Sequence, residues 1–218
     1  PFNLIPLAGG NTGVQMGGWF NKEINSLEDL KGLKMRMPGL GGEVLERAGG
    51  TPVTLPGTEL FTALQTGAID ATEWVGPYND LAFGLYKAAK YYYYPGWHEP
   101  GSMLEFTVNK TAFEALPKDL QVIVRTASRA VNQDMLDEYT ARNNHALKEL
   151  VGKHKVQLRP YPQDVLLKLR DLSDEVLLEV SQKDEMTKKV YESFISYRDN
   201  VKEYHTLTEQ AFLNARSQ

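Results

Sequence analysis

Three charged side chains lie at or just after strand-like segments, and together they could bind an anion and a cation. Arg36 follows the run LKM, Glu73 follows AIDAT, and Glu99 lies in the Gly- and Pro-bounded loop GWHEPG. A guanidinium donates two parallel hydrogen bonds that match a carboxylate. Glutamate oxygens are hard ligands that suit Na⁺ or Ca²⁺ better than Zn²⁺. The plainer interpretation is that each is a solvated charge with a local partner.

Two further residues, Gln15 and Trp74, extend this candidate set into an oxygen-rich group. His98 precedes Glu99 and could be a ligand or a base, but a single histidine is more often a packing or surface residue. We therefore leave His98 out of the predicted site. No GxSxG, HExxH, P-loop or dinucleotide-binding fingerprint occurs. A metal-assisted lyase or aldolase could use the same charged groups, but no motif supports it.

The elements that must position these groups alternate between strand-like and helical patterns through the first half of the chain. SLEDLKG has the Ser26–Asp29 spacing of a capping box. Predicted strands cover 2–8, 33–38, 51–56, 68–74, 88–96 and 102–110, and predicted helices cover 26–32, 41–50 and 57–67. This β-α-β-α-β order predicts a mainly parallel sheet flanked by helices. Ligands bind beyond the carboxyl ends of such strands, where Arg36, Glu73 and Glu99 fall.

The second half of the chain has helical patterns with one extended segment. Helices are predicted over 117–151, 163–182 and 184–214, and an extended segment over 156–162. We expect an α/β ligand-binding lobe over 1–110 and a helical C-terminal part over 111–218. The last helix combines many charges with a partial apolar stripe. Such a stripe could contact a second copy of the chain or fold back on its own lobe.

Composition excludes several classes of protein. The 218 residues carry a net charge of −4, so no basic excess is present to neutralise nucleic-acid phosphates. The absence of cysteine excludes disulfides and thiolate metal sites. No apolar run approaches the roughly 20 residues that span a bilayer. The chain opens in PFNLIPLAGG, without an initiator Met or a signal peptide, so we expect a fragment of a longer protein.

Two long ordered segments resemble the solute-binding proteins of TRAP transporters, the DctP-like family. These segments are SLEDLKGLKMRMPG and GGTPVTLPGTELFTALQTGAIDATEW, and the resemblance extends over about residues 11–110. GNTGVQMGGWF, ATEWVGPYND and GWHEPGS are similar to the subgroup that binds 2-oxoacids or lactate. Most members of the family carry Asn at the position of Trp74. This departure points away from the C4-dicarboxylate and sialic-acid branches.

The resemblance implies a role for each candidate residue. Arg36 would bind the carboxylate of the substrate, with Gln15, Glu73 and Trp74 also contacting the substrate. Gln15, Glu73, the backbone carbonyl of Trp74 and Glu99 would coordinate a bridging Na⁺ or Ca²⁺. A cation between the two glutamates would turn the repulsion of an incoming anion into attraction, since each unit-charge contact near 4 Å contributes on the order of 4 kcal/mol at an effective dielectric constant of 20.

The resemblance also implies the fold and the biological setting. It implies an α/β lobe like that of type II periplasmic solute-binding proteins, within an incomplete two-lobe fold that closes by a hinge. A signal peptide and a first-lobe segment would precede residue 1. The protein would be a periplasmic receptor and not an enzyme, delivering a pyruvate- or lactate-like acid to the membrane permease subunits of a TRAP transporter. A homodimer through the C-terminal helix would fit the subgroup, and a ligand-sensing domain is a further alternative.

Overall fold

The computed structural model describes residues 2–216 and contains a six-stranded sheet that carries the candidate site. Its strands lie in the order β4-β3-β5-β2-β6-β8. Their bounds are β2 Gly18–Phe20, β3 Lys34–Arg36, β4 Thr51–Val53, β5 Ala71–Thr72, β6 Tyr91–Tyr94 and β8 Gln157–Pro160. Three neighbouring pairs, β3/β4, β3/β5 and β6/β8, are parallel. The predicted α/β fold with a mainly parallel sheet is confirmed, with one unpredicted strand at its centre.

That unpredicted strand, β2, runs antiparallel to both β5 and β6 and makes the sheet mixed. Gly18 allows the close approach of β2 to β5. It has a φ of +123°, and a Cβ there would lie 2.6 Å from the Thr72 carbonyl oxygen. A strand of three residues that begins with glycine has too short a pattern for periodicity to reveal it.

The helices are short in the first half of the chain, whereas the second half contains both long and short ones. Their bounds are α1 Gly39–Arg47, α2 Leu60–Thr66, α3 Pro77–Phe83, α4 Lys110–Glu114, α5 Lys118–Gly152, α6 Gln163–Ser181, α7 Glu185–His205 and α8 Ala211–Arg216. The predicted capping box is present at the 3₁₀ turn Leu27–Leu30, with Ser26 and Asp29 as its two members. Helix α3 was not predicted, although Pro77 occupies a favoured first-turn position.

A second, two-stranded sheet pairs the beginning of the chain with the last strand of its first half. β1 (Leu4–Asn11) runs antiparallel to β7 (Met103–Asn109). Both strands fall within 1–110, as the sequence predicts. Within residues 2–216, no helix is long and apolar enough to cross a membrane.

The chain forms two compact units, one ending at Arg170 and the other beginning at Asp171. β8 lies after residue 110 yet adds an outer strand to the main sheet, beside β6. The division into a ligand-binding lobe over 1–110 and a helical part over 111–218 stays a prediction.

The core beneath the site is aromatic. Trp19 of β2 stacks on Tyr92 of β6 with ring centroids 4.0 Å apart, and both side chains are fully buried. Leu60, Leu64 and Leu85 belong to the same buried cluster. Burying a large side chain stabilises the fold by roughly 1.5–3 kcal/mol, so this cluster holds β2, β5 and β6 in place around the candidate residues.

Candidate functional site

Neighbouring parallel strands bring Arg36 and Glu73 together. Arg36 is the last residue of β3, and Glu73 follows β5 directly. The strands pair Arg36 with Thr72, and the Glu73 amide then donates to the Arg36 carbonyl oxygen at 3.3 Å. Parallel strands end at the same edge of a sheet, so both side chains leave the same edge.

Arg36 is bound from several directions. Its Nη1 forms an ion pair with Glu73 Oε1, and its Nε donates to the Leu55 carbonyl oxygen at 3.2 Å. The guanidinium carbon lies 5.4 Å from the centre of the Trp74 ring. The side chains of Arg36 and Glu73 are only 13% and 4% exposed. A guanidinium has five N–H donors. The donors of Arg36 that do not bind Glu73 or Leu55 could therefore bind a ligand carboxylate.

The side chain of His98, which the sequence prediction left out, lies in the same place. Its Nε2 is 3.4 Å from Glu73 Oε2, and the side chain is 4% exposed. One ligand atom from each of Glu73, His98 and Glu99 lies within 4.8 Å of the others. These three residues line a cavity of about 250 Å³ with Pro38, Leu40 and Gly41. The volume is below the roughly 300 Å³ at which drug-sized ligand sites begin, so the cavity suits a small ligand.

Gln15 reaches this cluster through a short chain of hydrogen bonds. Its Nε2 donates to Ser102 Oγ at 3.0 Å, and that hydroxyl donates to Glu99 Oε1 at 2.6 Å. Its backbone amide donates to the Pro100 carbonyl oxygen. Gly96 allows this close approach, because a Cβ there would lie 2.8 Å from the Gln15 carbonyl oxygen. The loop that carries Glu99 is therefore fastened to the segment that carries Gln15.

Two of the predicted ligand oxygens have no hydrogen-bond donor among the residues that the structure describes. One is Gln15 Oε1, which is buried. The other is the backbone carbonyl of Trp74, whereas the carbonyls on either side are occupied. The Glu73 carbonyl accepts from Thr72 Oγ1 at 2.8 Å, and the Val75 carbonyl accepts from the Met16 amide at 3.1 Å. For the buried Gln15 Oε1, the missing donor costs free energy, which a bound cation would recover.

The oxygen atoms of the predicted site are suited to binding a hard cation. The predicted set of Gln15, Glu73, Trp74 and Glu99 supplies amide, carbonyl and carboxylate oxygens, which Na⁺ and Ca²⁺ prefer. His98 adds a nitrogen beside the carboxylate of Glu73. Nitrogen is a poorer ligand for these ions, so His98 is better suited to orienting Glu73 or a ligand oxygen.

The structure thus brings Arg36, Glu73, Trp74 and Glu99 to one edge and connects Gln15 to Glu99 through Ser102. Glu99 is exposed, whereas Gln15 and Glu73 are both 3% exposed. The binding roles of these residues stay predictions. His98 was missed because only the fold of its loop, and not the local pattern, places it beside Glu73.

Comparison with protein families gives one match over most of the chain. The model of the DctP family, described as bacterial extracellular solute-binding protein, family 7, matches residues 2–184. Among curated relatives, the monocarboxylate 2-oxoacid-binding periplasmic protein of Nostoc sp. is 46% identical over 216 residues, covering 99% of this chain and 59% of that protein.

Solved structures with the same fold include two that hold pyruvate. A TRAP periplasmic solute-binding protein from Pseudoalteromonas atlantica T6c, with bound sodium and pyruvate, has a TM-score of 0.91 and 46% identity, covering 97% of this chain and 64% of that one. One from Colwellia psychrerythraea, with bound calcium and pyruvate, has a TM-score of 0.93 and 45% identity, covering 98% and 65%.

A third solved relative was described as a dimer. This TRAP transporter solute-binding protein from Bordetella bronchiseptica RB50 is a mixed-occupancy dimer with calcium and picolinate in one active site. It has a TM-score of 0.92 and 37% identity over 99% of this chain and 66% of that one. The chain therefore spans about three-fifths to two-thirds of the length of these relatives.

Proposed function

Because the chain belongs to the DctP family of bacterial extracellular solute-binding proteins, we propose that it is part of the periplasmic receptor of a TRAP transporter. The receptor binds a small 2-oxo or 2-hydroxy monocarboxylate, such as pyruvate or lactate, through Arg36 and a bridging cation. It delivers this acid to the membrane permease subunits. The family is described as one of solute-binding proteins, which supports a function in binding without turnover.

The observation that carries this proposal is the convergence of Arg36, Glu73 and Glu99 on one edge of the sheet. An arginine supplies the planar donor pair that a carboxylate requires. Two carboxylates beside it would repel an anion unless a cation lay between them. Trp74 beside Glu73 offers its carbonyl, and Gln15, linked to Glu99 through Ser102, offers Oε1; neither oxygen has a hydrogen-bond donor among residues 2–216.

The charges of the site favour Ca²⁺ over Na⁺. Glu73, Glu99 and a bound monocarboxylate supply three negative charges, and Arg36 supplies one positive charge. Ca²⁺ brings this sum to zero, whereas Na⁺ leaves one negative charge in a largely buried place, which is unfavourable. We therefore expect Ca²⁺ to support tighter acid binding than Na⁺ at equal concentration.

Calorimetry of the full natural chain with pyruvate tests the proposal directly. Pyruvate should bind in the presence of Ca²⁺, and a chelator should weaken that binding, because cation and acid share one site and bind with positive coupling. An affinity for pyruvate that the chelator does not change would contradict the cation bridge. Failure to bind any short 2-oxo or 2-hydroxy acid would contradict the proposed ligand class.

Charge-neutral variants test the cation ligands. Glu73→Gln and Glu99→Gln should each reduce the dependence of pyruvate binding on Ca²⁺. Glu46→Gln is a matched control, because this substitution removes the same charge from an exposed residue of α1 that does not belong to the predicted site. Equal behaviour of all three variants would show that the cation binds elsewhere. Turnover of the acid over hours would instead favour a metal-dependent enzyme acting on 2-oxoacids.

We further propose that the full chain forms a homodimer through α7. This helix exposes Met186, Val190, Phe194 and Tyr197 by 54–69%, at spacings of four, four and three residues that place them on one face. The dimeric relative from Bordetella bronchiseptica supports a second copy as the partner. Phe194→Glu should give a monomer in analytical ultracentrifugation, whereas Lys188→Glu, on the opposite face, should not. A monomeric wild-type protein at micromolar concentration would exclude this dimer.

A further inference from the structure

A second buried carboxylate lies six residues after Trp74, in α3. Asp80 is 1% exposed. Its Oδ2 accepts from Trp19 Nε1 at 2.8 Å and from the Tyr92 hydroxyl at 2.6 Å. Its Oδ1 accepts from two backbone amides, those of Val75 at 3.2 Å and Gly76 at 3.1 Å. The two oxygens therefore face different neighbours, the aromatic core on one side and the loop after Trp74 on the other.

The bond to the Val75 amide acts on the Trp74 carbonyl, because both groups belong to one peptide unit. A trans peptide is planar, and its C=O and N–H point in opposite directions. An acceptor that holds the Val75 N–H therefore points the Trp74 oxygen away from Asp80. Rotation of this oxygen would require the peptide plane to turn and would break the bond to Oδ1.

The surrounding backbone supports the same orientation. The amide of Glu73 donates to the Arg36 carbonyl at 3.3 Å, and the Val75 carbonyl accepts from the Met16 amide at 3.1 Å. The Thr72–Glu73 peptide, two peptides before Trp74–Val75, and the Val75–Gly76 peptide directly after it are thus tied to other segments. Asn79, beside Asp80, also holds the Trp74 indole by accepting from its Nε1. The start of α3 therefore secures both the side chain and the backbone of Trp74.

We propose that Asp80 is a positioning residue that aims the Trp74 carbonyl at the bridging cation. This inference rests on the proposed function, since it assumes a cation beside Glu73 and Trp74. A carboxylate is suited to the task because bonds to a charged acceptor are roughly twice as strong as neutral ones. Asp80 does not touch the cation and acts only through the backbone.

Tyr92 provides a matched control for a merely structural role. Its hydroxyl binds Oδ2, the oxygen that does not face the loop. Tyr92→Phe removes one bond of the same buried carboxylate and leaves Oδ1 with both amides. A variant at Asp80 should therefore change the orientation of the Trp74 carbonyl and lower the cation affinity. Tyr92→Phe should change stability alone.

The sequence offers a selective spectroscopic probe of this peptide. Trp74–Val75 is the only Trp-Val pair in the chain. Labelling Trp with ¹³C at the carbonyl and Val with ¹⁵N gives one HNCO signal from residues 1–218, which reports the Trp74 carbonyl carbon and the Val75 amide proton together. In the full chain, adding Ca²⁺ should shift the Trp74 carbonyl carbon. Asp80→Asn should move the Val75 amide proton upfield, because the charged acceptor is lost.

Calcium affinity, measured by calorimetry with Ca²⁺ alone, gives the second readout. Groups that orient a metal ligand typically contribute about 10- to 100-fold in metal affinity. We expect at least about a tenfold loss for Asp80→Ala, a smaller loss for Asp80→Asn, and a change within twofold for Tyr92→Phe. If Asp80→Ala does not fold, Asp80→Asn decides, because it keeps the volume and one acceptor oxygen.

The outcomes separate this inference from the proposed function. If folded Asp80→Asn binds Ca²⁺ within twofold of wild type and shows the wild-type carbonyl shift, Asp80 is not a positioning residue and the cation site stands. If Tyr92→Phe loses as much Ca²⁺ affinity as Asp80→Asn, the effect is general destabilisation and the inference fails. If wild type does not bind Ca²⁺ or its Trp74 signal does not respond, the cation bridge itself is wrong.

Discussion

Glu73 and Asp80 are two buried carboxylates only seven residues apart, yet their surroundings differ. Asp80 is 1% exposed and accepts four hydrogen bonds, two on each oxygen. Glu73 is 3% exposed and contacts one guanidinium and one imidazole. A carboxylate has about four acceptor positions, so Asp80 is saturated and Glu73 is not. Saturation indicates a group that holds its neighbours in place, whereas unused capacity indicates a group that binds a ligand.

The largest effect should come from removing the arginine that compensates Glu73. Arg36→Met leaves a nearly buried carboxylate without its ion-pair partner, which typically costs about 3–5 kcal/mol. It should also abolish pyruvate binding, because the guanidinium is the proposed carboxylate ligand. Urea unfolding and calorimetry measure the two losses.

The double variant Arg36→Met/Glu73→Gln is the control for this experiment. It removes both charges and should recover most of the lost stability, but not the binding. A loss in pyruvate affinity of less than about tenfold, or 1.4 kcal/mol, in Arg36→Met would place the carboxylate ligand elsewhere. Equal instability of the single and double variants would show that Glu73 has another compensating partner.

A second prediction is that the contribution of Asp80 to the free energy of unfolding depends on pH. Burial raises the pKa of Asp80 to about 6, against the lowering effect of the bonds from Tyr92 and Trp19. The folded state therefore binds this proton more tightly than the unfolded state, whose ordinary pKa is about 3.9. The stabilisation is complete below about pH 4 and is lost as the pH rises through about 6.

The size of this change follows from the shift of about two units, which corresponds to on the order of 3 kcal/mol. The free energy of unfolding of wild type minus that of Asp80→Asn should fall by this amount between pH 4 and 7. Taking the difference removes the contributions of other groups, such as Asp70, whose pKa is lowered by Lys22 and the Lys34 amide despite its partial burial. A difference that does not depend on pH would show that Asp80 keeps an ordinary pKa in the folded state.

The Glu73 side of this comparison was largely predictable from the sequence. The predicted strands over 33–38 and 68–74 carry Arg36 and Glu73 near their ends. In the structure β3 ends at Arg36 and β5 ends just before Glu73, so both residues lie at one sheet edge. Local patterns are sufficient there because parallel strands share their carboxyl edge. The family resemblance then supplied the ligand class, which spacing alone could not.

The Asp80 side was not predictable in the same way. Its partner Trp19 lies 61 residues away, on a three-residue strand that periodicity did not reveal. His98 was excluded for a related reason, since its burial depends on how an irregular loop folds over Glu73. The one available signal was the segment GPYND. Pro77 is typical of the first turn of a helix, and Asp80 is an acidic residue in that same turn of α3.

A third prediction concerns Gln15, whose Oε1 is one of the oxygens proposed to bind the cation near Glu73. Gln15→Met keeps the length of the side chain and removes Oε1, which has no donor in the described chain. It also removes the bonds from Nε2 to Thr12 and Ser102, which contribute about 1.5 kcal/mol. We expect a small loss of stability and a larger loss of Ca²⁺ affinity, about tenfold or more. Loss of stability without loss of Ca²⁺ affinity would make Gln15 a structural residue.

The smallest effect should come from Thr72, whose hydroxyl occupies the Glu73 carbonyl at 2.8 Å. Thr72→Val keeps the shape of this fully buried side chain and leaves the carbonyl without its donor, which should cost about 1 kcal/mol. Thr54→Val is the control, because Thr54 is exposed and its replacement should stay within about 0.5 kcal/mol. If Thr72→Val instead raises Ca²⁺ affinity, the released Glu73 carbonyl can also face the cation. The Trp74 carbonyl would then be one of two backbone ligands, and saturation by neighbouring groups would be what normally restricts the site to one.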